Sequence, residues 1–273
     1  MLSAARALQL HGDDAPDLPH VPAFKALYDY GLSAKRGDVI MVAGRSGSQK
    51  SGFAMYWVEQ MGLPTLYFAA DMKPVEASAR LAAIRTGENS RTIRKRIEAS
   101  GPDLYVDALR DSKVSFAFGQ PITWHTIDLT LQGWVETYNS YPEVIVIDNL
   151  MDIQSVGADY TLMSEAMQAL DALAQDTGAT VIILHHATDK GGGSGDPGLP
   201  PARSEIKYGM SEKPQVILTV ALAAQMLPYE LRIAHVKQRE GRADPSGRDY
   251  VRIGARPETT TFFDLREEQN HGY

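Results

Sequence analysis

The chain has 273 residues, 44% of them hydrophobic and none of them cysteine, with a formal net charge of −7. That length supports one large α/β domain with short extensions, and the missing cysteines exclude disulfides, thiolate metal sites and cysteine nucleophiles. No apolar run nears the roughly 20 residues that span a bilayer, no signal-like stretch opens the chain, and the acidic balance argues against a surface coated in basic groups: the expectation is a cytoplasmic protein with no membrane partner.

In chain order, the first 20 residues are rich in Asp, Pro and His and read as an irregular lead-in. GDVIMVAG (37–44) is a buried strand entering a Gly/Ser-rich turn. Phe53, Ala54, Trp57, Val58 and Met61 then have the spacing of a helix with one apolar face. LPTLYFAAD (63–71) is a second apolar strand, and Pro74 suits the first turn of a helix through Arg85. Residues 90–100 give an exposed, charged helix. EVIVIDNL (143–150) is a third strand with an acidic end, residues 162–174 form another amphipathic helix, and ATVIILHH (179–186) is a fourth strand. The run DKGGGSGDPGLPPARSE reads as a mobile loop. Strand-like runs at 215–222, 230–237, 248–254 and 260–264 should extend the sheet, partly as antiparallel hairpins. Apolar strands alternating with helices predict an α/β fold, a mostly parallel central sheet flanked by helices, with C-terminal antiparallel strands.

Gly44, Arg45, Ser46, Gly47, Ser48, Gln49, Lys50 and Ser51 follow a strand and open a helix, and nearly match G-x-x-x-x-G-K-[ST]. Backbone N–H groups in such a loop point at phosphates. Lys50 would neutralise phosphate charge and Ser51 would hold Mg²⁺. Gln49 departs from the motif's glycine, so its backbone must either keep a negative φ or accept strain. Asp148 ends the apolar run 144–147, where an acid faces the ligand crevice of a parallel sheet and can hold Mg²⁺.

The order of these motifs resembles the ATPase domain of RecA-like proteins, most closely the DnaB-type replicative helicases and the stand-alone hexameric plasmid helicases of the RepA kind. The resemblance spans roughly residues 32–241. It implies a RecA-like P-loop NTPase domain over 31–265, a lead-in over 1–30 that could dock on a neighbouring subunit, and a tail over 266–273. In LYFAADMKPVEASARL (66–81) it places Asp71 where the family has a catalytic glutamate that polarises the attacking water. In TVIILHHATDK it places His186, beside His185, where the family senses the γ-phosphate. Adjacent strand residues point to opposite faces, so one metal site rarely takes both histidines. PPARSEIKYGMSEKPQVILTV (200–220) resembles the return of a DNA-facing loop, with Lys190, Arg203 and Lys207 as its cations. HVKQREG (235–241) resembles a K-x-R-x-G turn whose Lys237 and Arg239 reach a neighbour's nucleotide.

The resemblance therefore implies ATP and Mg²⁺ as ligands, single-stranded DNA as partner, and a ring hexamer or filament. Its leading function is a DNA-dependent ATPase acting as helicase or translocase in replication or recombination. Three alternatives stay open: a slow ATPase that binds or loads on single strands, a metal-dependent nuclease using Asp71, Asp148 and Asp152, and a signalling ATPase unconnected with DNA.

Overall fold

The computed structural model describes residues 15–119, 121–154, 159–188, 198–239 and 241–268. Among them one sheet holds nine strands: β1 (Val39–Gly44), β2 (Thr65–Ala69), β3 (Val114–Phe118), β4 (Val144–Asp148), β5 (Thr180–His186), β6 (Val216–Ala223), β7 (Tyr229–Gln238), β8 (Val251–Arg256) and β9 (Thr261–Phe263). Their order is β3-β2-β4-β5-β1-β6-β7-β8-β9. β1 to β6 pair in parallel, and β7, β8 and β9 follow antiparallel. This is the mostly parallel α/β sheet with C-terminal antiparallel strands expected from the sequence. β1, β2 and β4 are buried throughout, as expected for parallel strands covered on both faces.

The longer helices are α1 (Lys25–Tyr30), α2 (Lys50–Met61), α3 (Pro74–Thr86), α4 (Ser90–Ser100), α5 (Trp124–Tyr138) and α6 (Tyr160–Thr177). Their ends follow local chemistry. Pro74 opens α3, Asn89 accepts from the amides of Arg91 and Thr92 to cap α4, and Asp159 accepts from Leu162 N to cap α6. α2 and α3 bury Phe53, Trp57, Val58, Ala77 and Leu81 against Ile40, Val42, Tyr67, Val146, Ile182 and Leu184. On the other face, α5 and α6 bury Ile127, Leu131, Trp134, Met163, Met167 and Leu170 against Met41, Ile145, Ile147, Val181 and Ile183. The strand period of two divides the sheet's residues between these layers.

Two features add to the expected layout. β3 and α5 occupy a stretch for which the sequence carried no assignment. The lead-in also contributes to the domain's own packing: Val21, Phe24 and Leu27 are buried, and Phe24 stacks on Phe53 with ring centroids 4.8 Å apart. Residues 1–14 and 269–273 of the proposed lead-in and tail lie outside the described residues.

Two histidines are enclosed by the sheet. His185 shares a hydrogen bond of 3.0 Å between Nε2 and the Lys207 carbonyl, while His235 meets Tyr30 edge-on and neither of its ring nitrogens has a partner. Burial depresses both from 6.5 to about 4. Between those values the unfolded chain binds more protons than the folded one, so stability is full above pH 6.5 and is lost as pH falls toward 4. Thermal melts across that window should show the decline. His235→Phe keeps the contact with Tyr30 and removes one proton sink, flattening the slope by up to about 1.4 kcal/mol per pH unit. An unchanged slope would mean that His235 charges within the folded protein.

Candidate functional site

β1 ends at Gly44 and α2 begins at Lys50, so the phosphate-loop candidates make one turn at the carboxyl edge of the parallel strands. Gly44 has no room for a side chain, since a Cβ would lie 2.3 Å from Ser48 Oγ and 2.9 Å from the Val220 carbonyl. Gly47 turns through φ +75° and Gln49 through φ +66°. Of the two options open to Gln49, the loop takes the strained one, at a cost of roughly 1–2 kcal/mol that glycine would avoid. That conformation aims the first-turn amides of α2 into the crevice, where the helix itself supplies no acceptors and its dipole favours an anion. Ser48 Oγ is buried in the same turn with no hydrogen-bond partner. An orphaned hydroxyl among forward-pointing amides, with Lys50 beside them, fits a polyphosphate.

Three acids converge beside this turn. β2 and β4 are neighbours in register, with Ala69 opposite Asp148, so Asp71 just beyond β2 faces the end of β4. Asp148 is only 5% exposed. Its Oδ2 accepts from the buried Tyr67 hydroxyl at 2.8 Å, and the Ser51 side chain also bonds to it. Burial raises the Asp148 pKa, while the bonds from Tyr67 and Ser51 and the charge of Lys50 oppose that rise. Contact between Ser51 and a desolvated carboxylate is the donor set a small hard cation takes. Asp71 is exposed, accepts from Asn149 Nδ2 at 3.4 Å, and touches Asp152. Burial first, and then repulsion from Asp71 and Asp148, raises the Asp152 carboxyl. Among the described residues no group of three or more His, Asp or Glu is arranged to hold a metal ion.

The histidine pair divides as the strand period requires. His185 faces the layer of α5 and α6, whereas His186 pairs with Gly44 in register at the base of the phosphate loop. Arg45 turns its side chain away from the loop. Its Nε donates to the Thr188 carbonyl at 3.2 Å, Nη1 to the Leu199 carbonyl at 3.0 Å and Nη2 to Glu205 Oε1 at 3.1 Å. Its contribution to the phosphate turn is therefore its backbone.

Lys237 and Arg239 lie at the opposite edge of the sheet. The amide of Arg239 donates to the Gln215 carbonyl, and that of Gln215 to the Val39 carbonyl, so Arg239 is level with the start of β1. From Val39 to Gly44 the strand rises about 17 Å at roughly 3.3 Å per residue. Lys237 donates to the Glu212 carbonyl. Burial, then Arg203, then Arg239, lower its pKa to about 8. Arg203, which bonds the Ser211 carbonyl at 3.2 Å, thus stands with these two cations. Lys207 is half-buried on the same segment, and Lys190 lies outside the described residues. Tyr67, Asn149 and Glu205 carried no signal in the sequence, because strand register and loop packing bring them to the site.

Residues 6–192 match the family model described as an AAA domain. The Gene 65 protein of Mycobacterium phage L5 is 29% identical over 259 residues, covering 93% of this chain and 95% of that protein. Its counterpart in Mycobacterium phage D29 is 28% identical over 221 residues, or 79% of this chain and 94% of that one. A structure of a DnaB-like replicative helicase and its interactions with primase superposes with a TM-score of 0.77 at 16% identity, covering 97% of this chain and 67% of that one. A second solved structure, an isolated ATPase domain, gives 0.76 at 16% identity, covering 96% of this chain and 99% of that one. These likenesses identify a RecA/DnaB-type P-loop ATPase fold.

The strain at Gln49 is testable. Gln49→Gly should bind ATP at least as tightly as the native chain and melt no lower, because relief of roughly 1–2 kcal/mol offsets the added freedom of the unfolded chain. A clear fall in melting temperature would show instead that the glutamine side chain holds the loop.

Proposed function

The chain belongs to the AAA domain family, and from that premise we propose that it is a DNA-dependent ATPase, a helicase or translocase that hydrolyses ATP at the contacts between subunits of a ring hexamer or filament. The observation that carries this reading is the separation of the site's two halves. The phosphate turn lies at the carboxyl edge of β1, and Lys237 and Arg239 lie a strand's length away at its amino edge. Cations so placed serve a nucleotide bound by a neighbouring copy, and such trans charges stabilise the transition state of phosphoryl transfer.

On this reading the amides of Gly44 to Ser51 and the Lys50 ammonium hold ATP. Ser51 and Asp148 hold Mg²⁺, which neutralises phosphate charge when bound. Asp71 orients and polarises the attacking water, and His186 contacts the terminal phosphate. Lys190, Arg203 and Lys207 meet the backbone of single-stranded DNA through salt-sensitive, sequence-independent contacts. Work of this kind belongs to DNA replication or recombination.

Lys50→Ala should lower ATP turnover by at least about 100-fold with the melting temperature retained. Arg239→Ala should lower it by about 1,000-fold or more while nucleotide affinity holds. Mixing the two inactive proteins should recover part of the activity, because a mixed contact joins an intact phosphate loop to an intact Arg239. Absence of recovery, with mixed assembly verified, would remove the trans assignment.

A second reading, a slow ATPase that loads on or coats single strands, is favoured by the strained Gln49 and by Asp71, one methylene shorter than glutamate. Asp71→Glu distinguishes the two. A rise in kcat at unchanged nucleotide affinity supports the slow enzyme, and a fall supports a site already fitted to aspartate.

A further inference from the structure

The three polar faces of the Arg45 guanidinium are occupied by Thr188, Leu199 and Glu205. Arg45 is inside the phosphate turn, while Leu199 and Glu205 lie on the return segment that carries Arg203 and Lys207 and Thr188 lies just beyond β5. The ion pair with Glu205 is enclosed, with the two side chains 13% and 15% exposed, so water screens it less than a surface pair. Glu205 is itself held: its Oε2 accepts from the Ala202 amide at 2.7 Å and its carbonyl from the Thr188 amide at 2.8 Å. Ile206 bridges to Ala187, one residue beyond His186, and is buried. Further along, the Lys207 carbonyl meets His185 and Arg203 bonds the Ser211 carbonyl. Arg45 thus ties the phosphate turn to a short segment whose other side borders a cavity of about 830 Å³ lined by Arg203, Ser204, Arg248 and Tyr250.

We infer that Arg45 and Glu205 form a positioning link that couples occupancy of the phosphate turn to the placement of the cations on segment 198–209. The inference rests on the reading of this chain as a DNA-dependent ATPase and adds to it a defined route between the two ligands. Neither residue touches the reacting phosphate through its side chain. The energy is in the difference between two arrangements of the segment, one matched to a loaded phosphate turn and one to an empty one. Because coupling between two ligands is reciprocal, DNA must alter nucleotide affinity by the factor with which nucleotide alters DNA affinity.

That factor can be read directly. A fluorescent non-hydrolysable ATP analogue is titrated with Mg²⁺, with and without saturating oligothymidylate, and the ratio of the two dissociation constants gives the coupling. For the native chain a ratio of about 5–150 is expected, the usual span for such couplings. Glu205→Gln is nearly isosteric and should bring the ratio close to one while analogue affinity without DNA and the melting temperature stay near native. Arg45→Gln should abolish the coupling too, and the double substitution should add nothing further, as for two halves of one link. If Arg45→Gln fails to fold, Arg45→Lys, which keeps the charge but not the forked geometry, should give an intermediate ratio. A native ratio in Glu205→Gln overturns the link. So does a ratio of one in the native chain when it binds both ligands, which leaves the ATPase reading standing. A native chain that binds the analogue but not oligothymidylate removes the DNA reading, and the link with it.

Discussion

A turn that binds phosphate must present several backbone N–H groups to one point, yet buried N–H groups without acceptors are costly. The chain meets that constraint between β1 and α2. Leaving a buried parallel strand and entering a helix within a few residues forces positive φ at Gly47 and Gln49, and the same geometry turns the first helical amides outward. Everything else at the site is arranged about this turn. Gly44 is side-chain-free because Ser48 and β6 close over it, and β4 and β2 deliver their acids to the same edge because both run parallel to β1. Strain at Gln49 is tolerable because the flanking strand and helix are anchored by fully buried residues such as Val42, Phe53 and Trp57.

The acids are graded rather than equivalent. Asp148 is desolvated and tethered by Tyr67 and Ser51, a carboxylate with little freedom to move. Asp71 is exposed, with Asn149 and Asp152 beside it. A fixed carboxylate suits an ion, whereas a movable one suits a water that must be turned toward an incoming phosphate.

Much of this was legible from residues alone. β1, β2, β4 and β5 are unbroken apolar runs, and α2, α3 and α6 have clear caps or periodicity. β3 escaped because it is an edge strand in which only Val114 is buried, so its sequence lacks a core signature. α5 has buried Ile127, Leu131 and Trp134 at helical spacing, but its threonines and Gly133 weaken the local propensity that would have drawn attention to it. The Asp71–Asp148 pairing followed from motif order. The Tyr67 tether did not, because it depends on register between β2 and β4, a property of two strands about eighty residues apart in sequence. Arg45 was legible as a member of the phosphate motif, yet nothing local shows that its side chain leaves the turn for Glu205.

The placement of Lys237 and Arg239 bears on the proposed assembly. β7 pairs antiparallel with β6, so residues late in β7 return to the edge where β1 begins. No rotamer of a lysine or arginine, reaching about 6–7 Å from its Cα (five or six bonds of roughly 1.5 Å, each advancing less than its length), spans the distance of about 17 Å to the end of β1. Within one copy, then, these cations and the phosphate turn cannot meet. In the proposed head-to-tail contact each copy would present its amino-edge cations to the carboxyl edge of the next, and such heterologous contacts generate rings when the rotation closes and filaments when it does not. The net charge of −7 is compatible with this arrangement. Lys237 and Arg239 stand close together, so a chain acidic overall still carries concentrated positive charge at the edge opposite its own phosphate turn.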